Sequence, residues 1–309
     1  MKPSLCATRR QIQCSYWILF FLCLPAFMLQ APVSVASPDI PEGRQVWDPL
    51  ITRLIADGEN ATRIRRLFSS SQVKFNPKVM PRKLTHRESS LDYGKFLRPE
   101  RISRAGAFLD RHSDLLEEIE TEYGVPKEIE VAILLIETDL GRYLGADPAF
   151  NILASMAAAT DFDRVRPWLP KEILDSPERK RIEQKLCKKS SWAYGELRAL
   201  LRYSEQNRLD ILGMKGSIFG AIGLCQFMPS NALRFGVDHD GDGRIDLFSV
   251  PDAMASMGAY IRHYGWKNGL TRNRQVKVLL KYNYSRPYAN TVIDVAERLN
   301  CPETASAPN

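Results

Sequence analysis

Hydrophobic residues recur at helical spacing along most of the chain, and alternation with a period of two is scarce. Apolar positions three and four residues apart predict helices over 46–56 and 61–68. The same spacing predicts one long helix over 101–123, ended by Gly124, because glycine readily adopts the left-handed conformation of a helix C-terminus. The basic segment 75–88 contains two prolines and predicts a loop.

A helix with almost no polar face follows Pro126, which stands in its first turn as proline prefers. Residues 131–136 are all apolar, so we expect this helix to be buried, and it ends near Glu137. Further helices are predicted over 152–159, 171–187, 191–207, 230–235, 252–264, 274–282 and 288–299. The predicted fold class is therefore mainly α.

Composition limits the class of protein. Of the 309 residues 44% are hydrophobic and 26% are charged, which is typical of a folded globular protein and excludes disordered, collagenous and polytopic membrane classes. The net charge of +7 is mildly positive and suits an anionic polymer, but it is too small to indicate a nucleic-acid partner. We expect no nucleic-acid binding.

The first 36 residues have the three parts of a secretory signal. Basic residues come first, an apolar stretch covers 16–29, and small residues stand at 34–36. The apolar stretch is shorter than the roughly 20 residues that a membrane-spanning helix needs. We predict a signal peptide over 1–36 and an exported chain from residue 37, with an uncleaved N-terminal anchor as the alternative.

Several catalytic classes lack their residues. The four histidines are scattered without an HExxH pattern, and the chain has no GxSxG elbow, no phosphate-binding GK[ST] loop and no CxxC pair. Cys187, Cys225 and Cys301 remain after removal of the signal, so one disulfide and buried thiols are both open. Serine hydrolase, zinc protease and nucleotide-binding functions are therefore not favoured.

An acidic segment over 238–252, called the acidic loop below, has the spacing of an EF-hand-like calcium site. Aspartates occupy its first, third and fifth positions, and Gly243 at the sixth allows the sharp turn. Ser249 replaces the usual glutamate at position twelve, and an aspartate follows at fifteen. The expected Ca²⁺ ligands are Asp238, Asp240, Asp242, Arg244 through its carbonyl group, and Asp252. A solvated acidic turn next to a helix cap is the alternative.

Glu137 is the candidate for acid–base chemistry. A carboxyl group at the end of an apolar helix has its charged form disfavoured, which raises its pKa. Such a group keeps its proton near neutral pH and is able to donate it. On position alone, a glutamate that reaches solvent from a helix end fits the sequence as well.

Separate motifs in a fixed order resemble the family of membrane-bound lytic murein transglycosylase B. The resemblance runs roughly from 46 to 299, and its motifs cover 124–126, 136–142, 212–217, 220–230, the acidic loop, 264–266 and 281–289. It implies a lysozyme-like catalytic core over about 101–300, an added helical part over about 45–100 and a tail over 301–309. The catalytic region as a whole would cover 37–300.

The resemblance implies cleavage of peptidoglycan glycan strands, with Glu137 as the single acid/base. The expected products are 1,6-anhydromuramic acid ends, formed at the β-1,4 bond between N-acetylmuramic acid and N-acetylglucosamine. It also implies a monomer in the bacterial periplasm, soluble or loosely membrane-associated, with cell-wall enzyme complexes as a further class of partner. A hydrolytic muramidase on the same fold and a non-catalytic peptidoglycan-binding protein are the alternatives.

Substrate-binding residues also follow from the resemblance. They are Ser217, Gln226, Tyr282, Asn283, Tyr93, Tyr260, Tyr288, Lys188, Lys189 and Trp192. For the tyrosines, ordinary core packing is the alternative. The two lysines stand where the family often has arginines, and lysine lacks the planar bidentate grip of arginine.

Overall fold

The computed structural model describes residues 44–86, 92–174 and 178–300. The predicted signal peptide and the predicted tail lie outside the described residues, as does Cys301. Among the helices that are described, none combines the length and the apolar character needed to cross a membrane.

Helices make up most of the described chain, so the prediction of a mainly α fold is confirmed. The α-helices are α1 (Asp48–Ala56), α2 (Ala61–Ser69), α3 (Val79–Thr85), α4 (Pro99–Arg111), α5 (Ser113–Tyr123), α6 (Lys127–Thr138), α7 (Ala149–Ala158), α8 (Phe162–Val165), α9 (Lys171–Leu174), α10 (Glu178–Gln206), α11 (Pro229–Phe235), α12 (Val250–His263), α13 (Arg272–Tyr282) and α14 (Arg286–Asn300). Short 3-10 helices cover Arg44–Val46, Gly94–Leu97 and Arg166–Trp168. Strands β1 (Asp147–Pro148) and β2 (Lys215–Gly216) pair antiparallel.

The single long helix predicted over 101–123 is wrong, because two helices occupy this range. His112 separates α4 from α5 with φ −115° and ψ 23°, outside the helical region. Its ring packs on Phe108, with 4.4 Å between ring centroids. The apolar spacing runs through this break, so periodicity alone does not detect it.

The loop predicted over 75–88 is also wrong in its second half, where α3 forms. Pro81 is the third residue of this helix. Proline is tolerated there because the first N–H groups of a helix have no partner within the helix. Pro81 is therefore compatible with a helix, and its presence alone did not justify the prediction of a loop.

The two helices predicted over 171–187 and 191–207 are in fact the short α9 and the continuous α10. Ser190 lies within α10, and its hydroxyl donates to the carbonyl of Cys187, so the side chain bonds within the helix instead of interrupting it. The polar segment between the two predicted helices therefore continues the helix, with Lys188 exposed and Ser190 buried.

Helix α6 lies inside the fold. Its residues from Ile129 to Leu135 are all buried. Helices α4, α5, α12 and α14 pack against it, and α14 makes the most extensive contact. The added helices at the N-terminal side join the same unit, since α1 and α3 both pack on α7. The division of the chain near residue 100 stays a prediction.

A left-handed turn ends α6. Asp139, Leu140 and Gly141 have φ values of 52°, 61° and 82°. A residue other than glycine in this region costs about 1–2 kcal/mol, so the turn needs compensating contacts. Asp139 supplies them: its Oδ1 accepts from Arg101 at 2.9 Å and from Arg104 at 2.8 Å, and its Oδ2 accepts from Arg104 at 3.0 Å. We call these three side chains the arginine clamp.

Glu130 is a buried carboxyl group on α6 that the sequence did not single out. It is 0% exposed, and neither of its oxygens has a hydrogen-bond partner among the described residues. Burial raises its pKa well above the usual range, and the charge of Glu120 adds to the effect. A side chain at Gly258 would meet Glu130 Oε1 at 2.7 Å, so this glycine makes room for the carboxyl group.

As the pH rises, Glu130→Gln is expected to lose less of its free energy of unfolding than the wild type loses. The folded-state pKa of Glu130 is raised, so its contribution is fully present below the unfolded pKa of about 4.3 and is lost as pH rises through the folded value. The loss amounts to at most about 1.4 kcal/mol per pH unit. Urea unfolding at pH 5 and pH 8 should show the variant gaining on the wild type at the higher pH.

Glu128→Gln is the matched control, because it removes a carboxylate from the same helix at a position that is not fully buried. Its stability difference from the wild type should change little between the two pH values. An equal difference at both pH values for Glu130→Gln would contradict the assignment of a protonated, buried acid.

Candidate active site

Glu137 lies in the last turn of α6 and is half-buried. Its Oε1 accepts a hydrogen bond of 2.7 Å from the hydroxyl of Tyr288, which is 1% exposed on α14. Burial raises the pKa of Tyr288 well above its usual value, and the charge of Glu137 raises it further. Tyr288 therefore stays protonated and is a permanent donor that fixes the position of the carboxyl group. The raised pKa expected for Glu137 itself stays a prediction.

Two aromatic rings contact the ring of Tyr288. Tyr282 stacks on Tyr288 with 6.5 Å between centroids and 9° between planes, and Tyr93 meets it edge-on at 6.2 Å. The hydroxyl of Tyr282 donates to the carbonyl of Cys225. The structure brings together these three tyrosines, each named in the resemblance, and joins them to Glu137 through Tyr288; their contact with substrate stays a prediction.

Tyr260 is a buried neighbour of Tyr282. It is 5% exposed, its ring contacts Tyr282 at 5.2 Å, and its hydroxyl donates to the carbonyl of Lys281. These contacts allow Tyr260 to support Tyr282. Its predicted contact with substrate stays a prediction.

Gln226 has a left-handed backbone with φ 50°, which is uncommon outside glycine. Its side chain is half-buried, and Nε2 donates to the Gly223 carbonyl at 2.9 Å. A residue held in such a conformation marks a place where the surrounding fold dictates the backbone, and these places cluster at functional sites.

Cys225, next to Gln226, is a buried thiol and not part of a disulfide. Burial raises its pKa to about 12, so the sulfur stays neutral and unreactive at physiological pH. Cys187 is a free thiol as well and is exposed. A bridge between these two residues is therefore absent.

Ser217 and Asn283 both follow regular elements. Ser217 comes directly after β2, and its Oγ accepts from the backbone of Ala221 at 3.0 Å and of Phe219 at 3.3 Å. Asn283 is the C-cap of α13 and is half-buried with an extended backbone. The hydroxyl of Ser217 thus shapes its own loop.

Trp192 on α10 is linked to the loop that follows Ser217 by Lys83, which was not predicted as a site residue. Lys83 Nζ lies 3.8 Å from the ring centroid of Phe219 and 4.9 Å from that of Trp192. Lys189 Nζ lies 5.9 Å from the Trp192 ring, whereas Lys188 is exposed on α10. Phe219 lies in the gap between the motifs at 212–217 and 220–230, so no motif indicated this aromatic and cationic cluster.

The acidic loop brings some of its predicted ligands together. Carboxylate oxygens of Asp238, Asp240 and Asp252 lie within 4.8 Å of one another. Asp238 Oδ1 is buried and has no hydrogen-bond partner among the described residues. Burial raises the pKa of Asp252, and the charge of Asp240 contributes to the rise. A bound cation would neutralise the three crowded carboxylates and would give Asp238 Oδ1 a partner.

Asp242 is not part of this group of three. Its Oδ1 accepts from the backbone of Arg244 at 2.9 Å, and its Oδ2 lies 3.2 Å from the Arg244 guanidinium. The helix cap offered as the alternative is also present, because Ser249 Oγ accepts from the backbone of Asp252. The cap uses the backbone of Asp252 and leaves its carboxylate to the loop, where it accepts from Asp246 at 2.6 Å.

Comparison with known proteins places the chain in a family. Residues 42–278 match the sequence model of the transglycosylase SLT domain. The chain is 31% identical to membrane-bound lytic murein transglycosylase B of Escherichia coli (strain K12) over 175 residues, which are 57% of this chain. The match spans 41% of that relative's length.

Two solved structures share the fold. Escherichia coli lytic transglycosylase Slt35 in complex with calcium is 21% identical with a TM-score of 0.64, covering 83% of this chain and 93% of that one. SltB3 from Pseudomonas aeruginosa in complex with NAG-anhNAM-pentapeptide is 21% identical with a TM-score of 0.66, covering 84% of this chain and 80% of that one. The match of the domain model to most of the chain shows that this protein belongs to the transglycosylase SLT-domain family.

Proposed function

We propose that the protein is a peptidoglycan lytic transglycosylase that uses Glu137 as its single acid/base. One observation carries the proposal: Glu137 is half-buried at the end of an apolar helix, and its carboxyl group is held by the permanent donor Tyr288. Membership of the transglycosylase family supports the same reaction. The substrate would be the β-1,4 bond between N-acetylmuramic acid and N-acetylglucosamine.

The reaction needs two proton transfers, both through the carboxyl group of Glu137. Protonated Glu137 gives its proton to the glycosidic oxygen, the bond to the anomeric carbon breaks, and the sugar becomes oxocarbenium-like with support from its own acetamido group. The Glu137 carboxylate then takes the proton of the 6-hydroxyl group of the same sugar. That oxygen attacks the anomeric carbon and closes the 1,6-anhydro ring, which returns the glutamate to its protonated state.

Two nearby carboxyl groups, Glu130 on α6 and Asp139 in its C-terminal turn, are poorly suited to act as a second catalytic group. Asp139 is held by Arg101 and Arg104 in the arginine clamp. Glu130 is fully buried, and its raised pKa keeps it protonated. Glycosidases that use two carboxylates need both at the scissile bond, so here the acetamido and 6-hydroxyl groups of the substrate fill the second role.

The aromatic groups and the amides near Glu137 suit a sugar strand. The half-buried ring of Tyr282 offers a flat apolar surface, and the buried rings of Tyr288 and Tyr93 hold it in place. Gln226 and Asn283 offer amide groups for N-acetyl substituents. Further contacts are proposed for Ser217, Tyr260, Lys188, Lys189 and Trp192. We place the enzyme in the periplasm as an exported monomer whose partner is the glycan strand.

The acidic loop fits a calcium ion. Asp238, Asp240 and Asp252 converge, and the unbonded Asp238 Oδ1 is an oxygen without another use. Calcium prefers six to eight oxygen ligands, so Asp242 and the Arg244 carbonyl are proposed as additional ones. The ion would tie the loop to α12, and no step of the reaction requires it.

Glu137→Gln is expected to lower turnover of purified sacculi by at least about 100-fold, because amide nitrogen cannot deliver the proton. Release of soluble muropeptides over time measures turnover, and calorimetry measures binding of NAG-NAM-pentapeptide. Binding should be retained. Glu128→Gln on the same helix is the control and should cleave at the wild-type rate.

Two outcomes would reject the proposed activity. Wild-type turnover by Glu137→Gln would show that this carboxyl group is not the acid. Binding without any release of muropeptides by the wild type would favour a non-catalytic wall protein.

Calcium is expected to raise the melting temperature, since a ligand that binds only the folded state stabilises it by about 2.7 kcal/mol at 100 times its Kd. Thermal unfolding in excess calcium and in excess chelator measures the difference. Asp238→Asn should abolish the difference, and Asp163→Asn on α8 should leave it intact. Identical melting temperatures of the wild type in the two buffers would show that the loop binds no calcium.

A further inference from the structure

A large cavity lies between elements that the proposed reaction does not use. Its volume is about 850 Å³. Its walls come from residues 71–78, ahead of α3, from residues 146–148 with the start of α7, and from residues 212–215, which lead into β2. We call it the lysine cavity.

The charge of the lysine cavity is unbalanced. Lys74, Lys78 and Lys215 line it together with one carboxylate, Asp147. Lys74 and Lys78 form no ion pair with any described residue, and Lys78 Nζ lies 5.3 Å from the ring centroid of Trp168. Lys215 Nζ donates to the carbonyl of Ala146 at 3.0 Å. The cavity therefore favours an anionic ligand.

The remaining lining combines apolar and amide groups. Phe75 and Ile152 provide apolar surface, and Asn76 and Asn151 provide amides. Asn151 is 8% exposed, its Nδ2 donates to the Gln72 carbonyl at 2.9 Å, and its Oδ1 has no partner in the described part of the chain. A buried acceptor without a partner costs free energy, and a ligand N–H would recover it. Carboxylates, amide N–H groups and small apolar side chains occur together in a peptide.

The lysine cavity lies close to the site along the chain. Lys215 is two residues before Ser217, a predicted sugar contact, and it pairs with Pro148 across β1 and β2. A strand rises about 3.3 Å per residue, so two residues span roughly 7 Å. A five-residue peptide spans up to about 17 Å, so a stem on a sugar near Ser217 is long enough to enter the cavity.

We propose that the lysine cavity binds the peptide stem of the glycan strand, through its carboxylates and backbone amides. This rests on the proposed function, which supplies a strand with stems at the site. The SltB3 structure contains a ligand that carries such a pentapeptide. Lys74 and Lys78 take the carboxylates, and the wall formed by Asn151 takes a peptide N–H.

The double variant Lys74→Gln with Lys78→Gln tests the proposal, and both residues are exposed, so the fold should be retained. Calorimetry in a Glu137→Gln background measures the Kd of NAG-NAM-pentapeptide and of the NAG-NAM disaccharide without peptide. Loss of two charge contacts should weaken binding of the pentapeptide ligand about twofold to thirtyfold and leave the disaccharide unchanged. Lys267→Gln with Lys277→Gln, both exposed elsewhere, is the matched control.

A ligand whose peptide carboxylates are amidated should bind the wild type as weakly as the double variant binds the native ligand. Equal loss for the disaccharide would show that the lysines contact sugar, and unchanged binding of both ligands would show that the cavity takes no peptide. Either result overturns the proposal.

Turnover of intact sacculi, which carry peptide stems, by the chain with Glu137 in place tests the proposed function separately. Absence of turnover there, with lysine-dependent binding of the pentapeptide ligand retained, would reject the reaction and leave the cavity assignment standing.

Discussion

The position of Glu137 depends on how α6 ends. Two successive residues other than glycine, Asp139 and Leu140, adopt left-handed backbone and direct the chain away from the helix axis. The arginine clamp holds this turn from α4, because Arg104 grips both oxygens of Asp139 and Arg101 adds a further bond. Such charge-assisted, bidentate contacts are directional as well as strong. The last turn of α6, and with it the carboxyl group, is therefore fixed on a rigid and buried element.

Tyr288 holds the Glu137 carboxyl group from a second helix. Its helix, α14, packs along α6, so the phenol reaches Glu137 from an independent element. Tyr282 and Tyr93 border the phenol, and Tyr260 supports Tyr282 from the core. Burial raises the pKa of Tyr288, Tyr282 and Tyr260 and keeps these three hydroxyls protonated, which leaves Glu137 as the group whose proton takes part in the proposed reaction. The cluster combines preorganised hydroxyl donors with aromatic rings that pack against one another.

Periodicity predicted the buried helix that ends near Glu137, because a helix that is apolar on all sides must be buried. The points at which one helix breaks or two helices join depend on single residues and were not predicted. His112 interrupts a regular pattern, and Ser190 continues a helix that polar residues had suggested would end. Motif spacing placed Asp238, Asp240 and Asp252 together, and it did not separate Asp242, whose bonds to Arg244 are local. Glu130 and the lysine cavity could not be predicted, since both arise from contacts between segments far apart in sequence.

Digestion of purified sacculi in ¹⁸O-labelled water, followed by mass spectrometry of the new ends, tests the central claim most directly. The claim is that Glu137 severs the glycan strand and lets the sugar's own 6-hydroxyl group complete the reaction. It predicts 1,6-anhydro ends that are one water lighter than reducing ends and contain no ¹⁸O. Reducing ends that carry one ¹⁸O atom each would contradict it and identify a hydrolytic muramidase on the same fold.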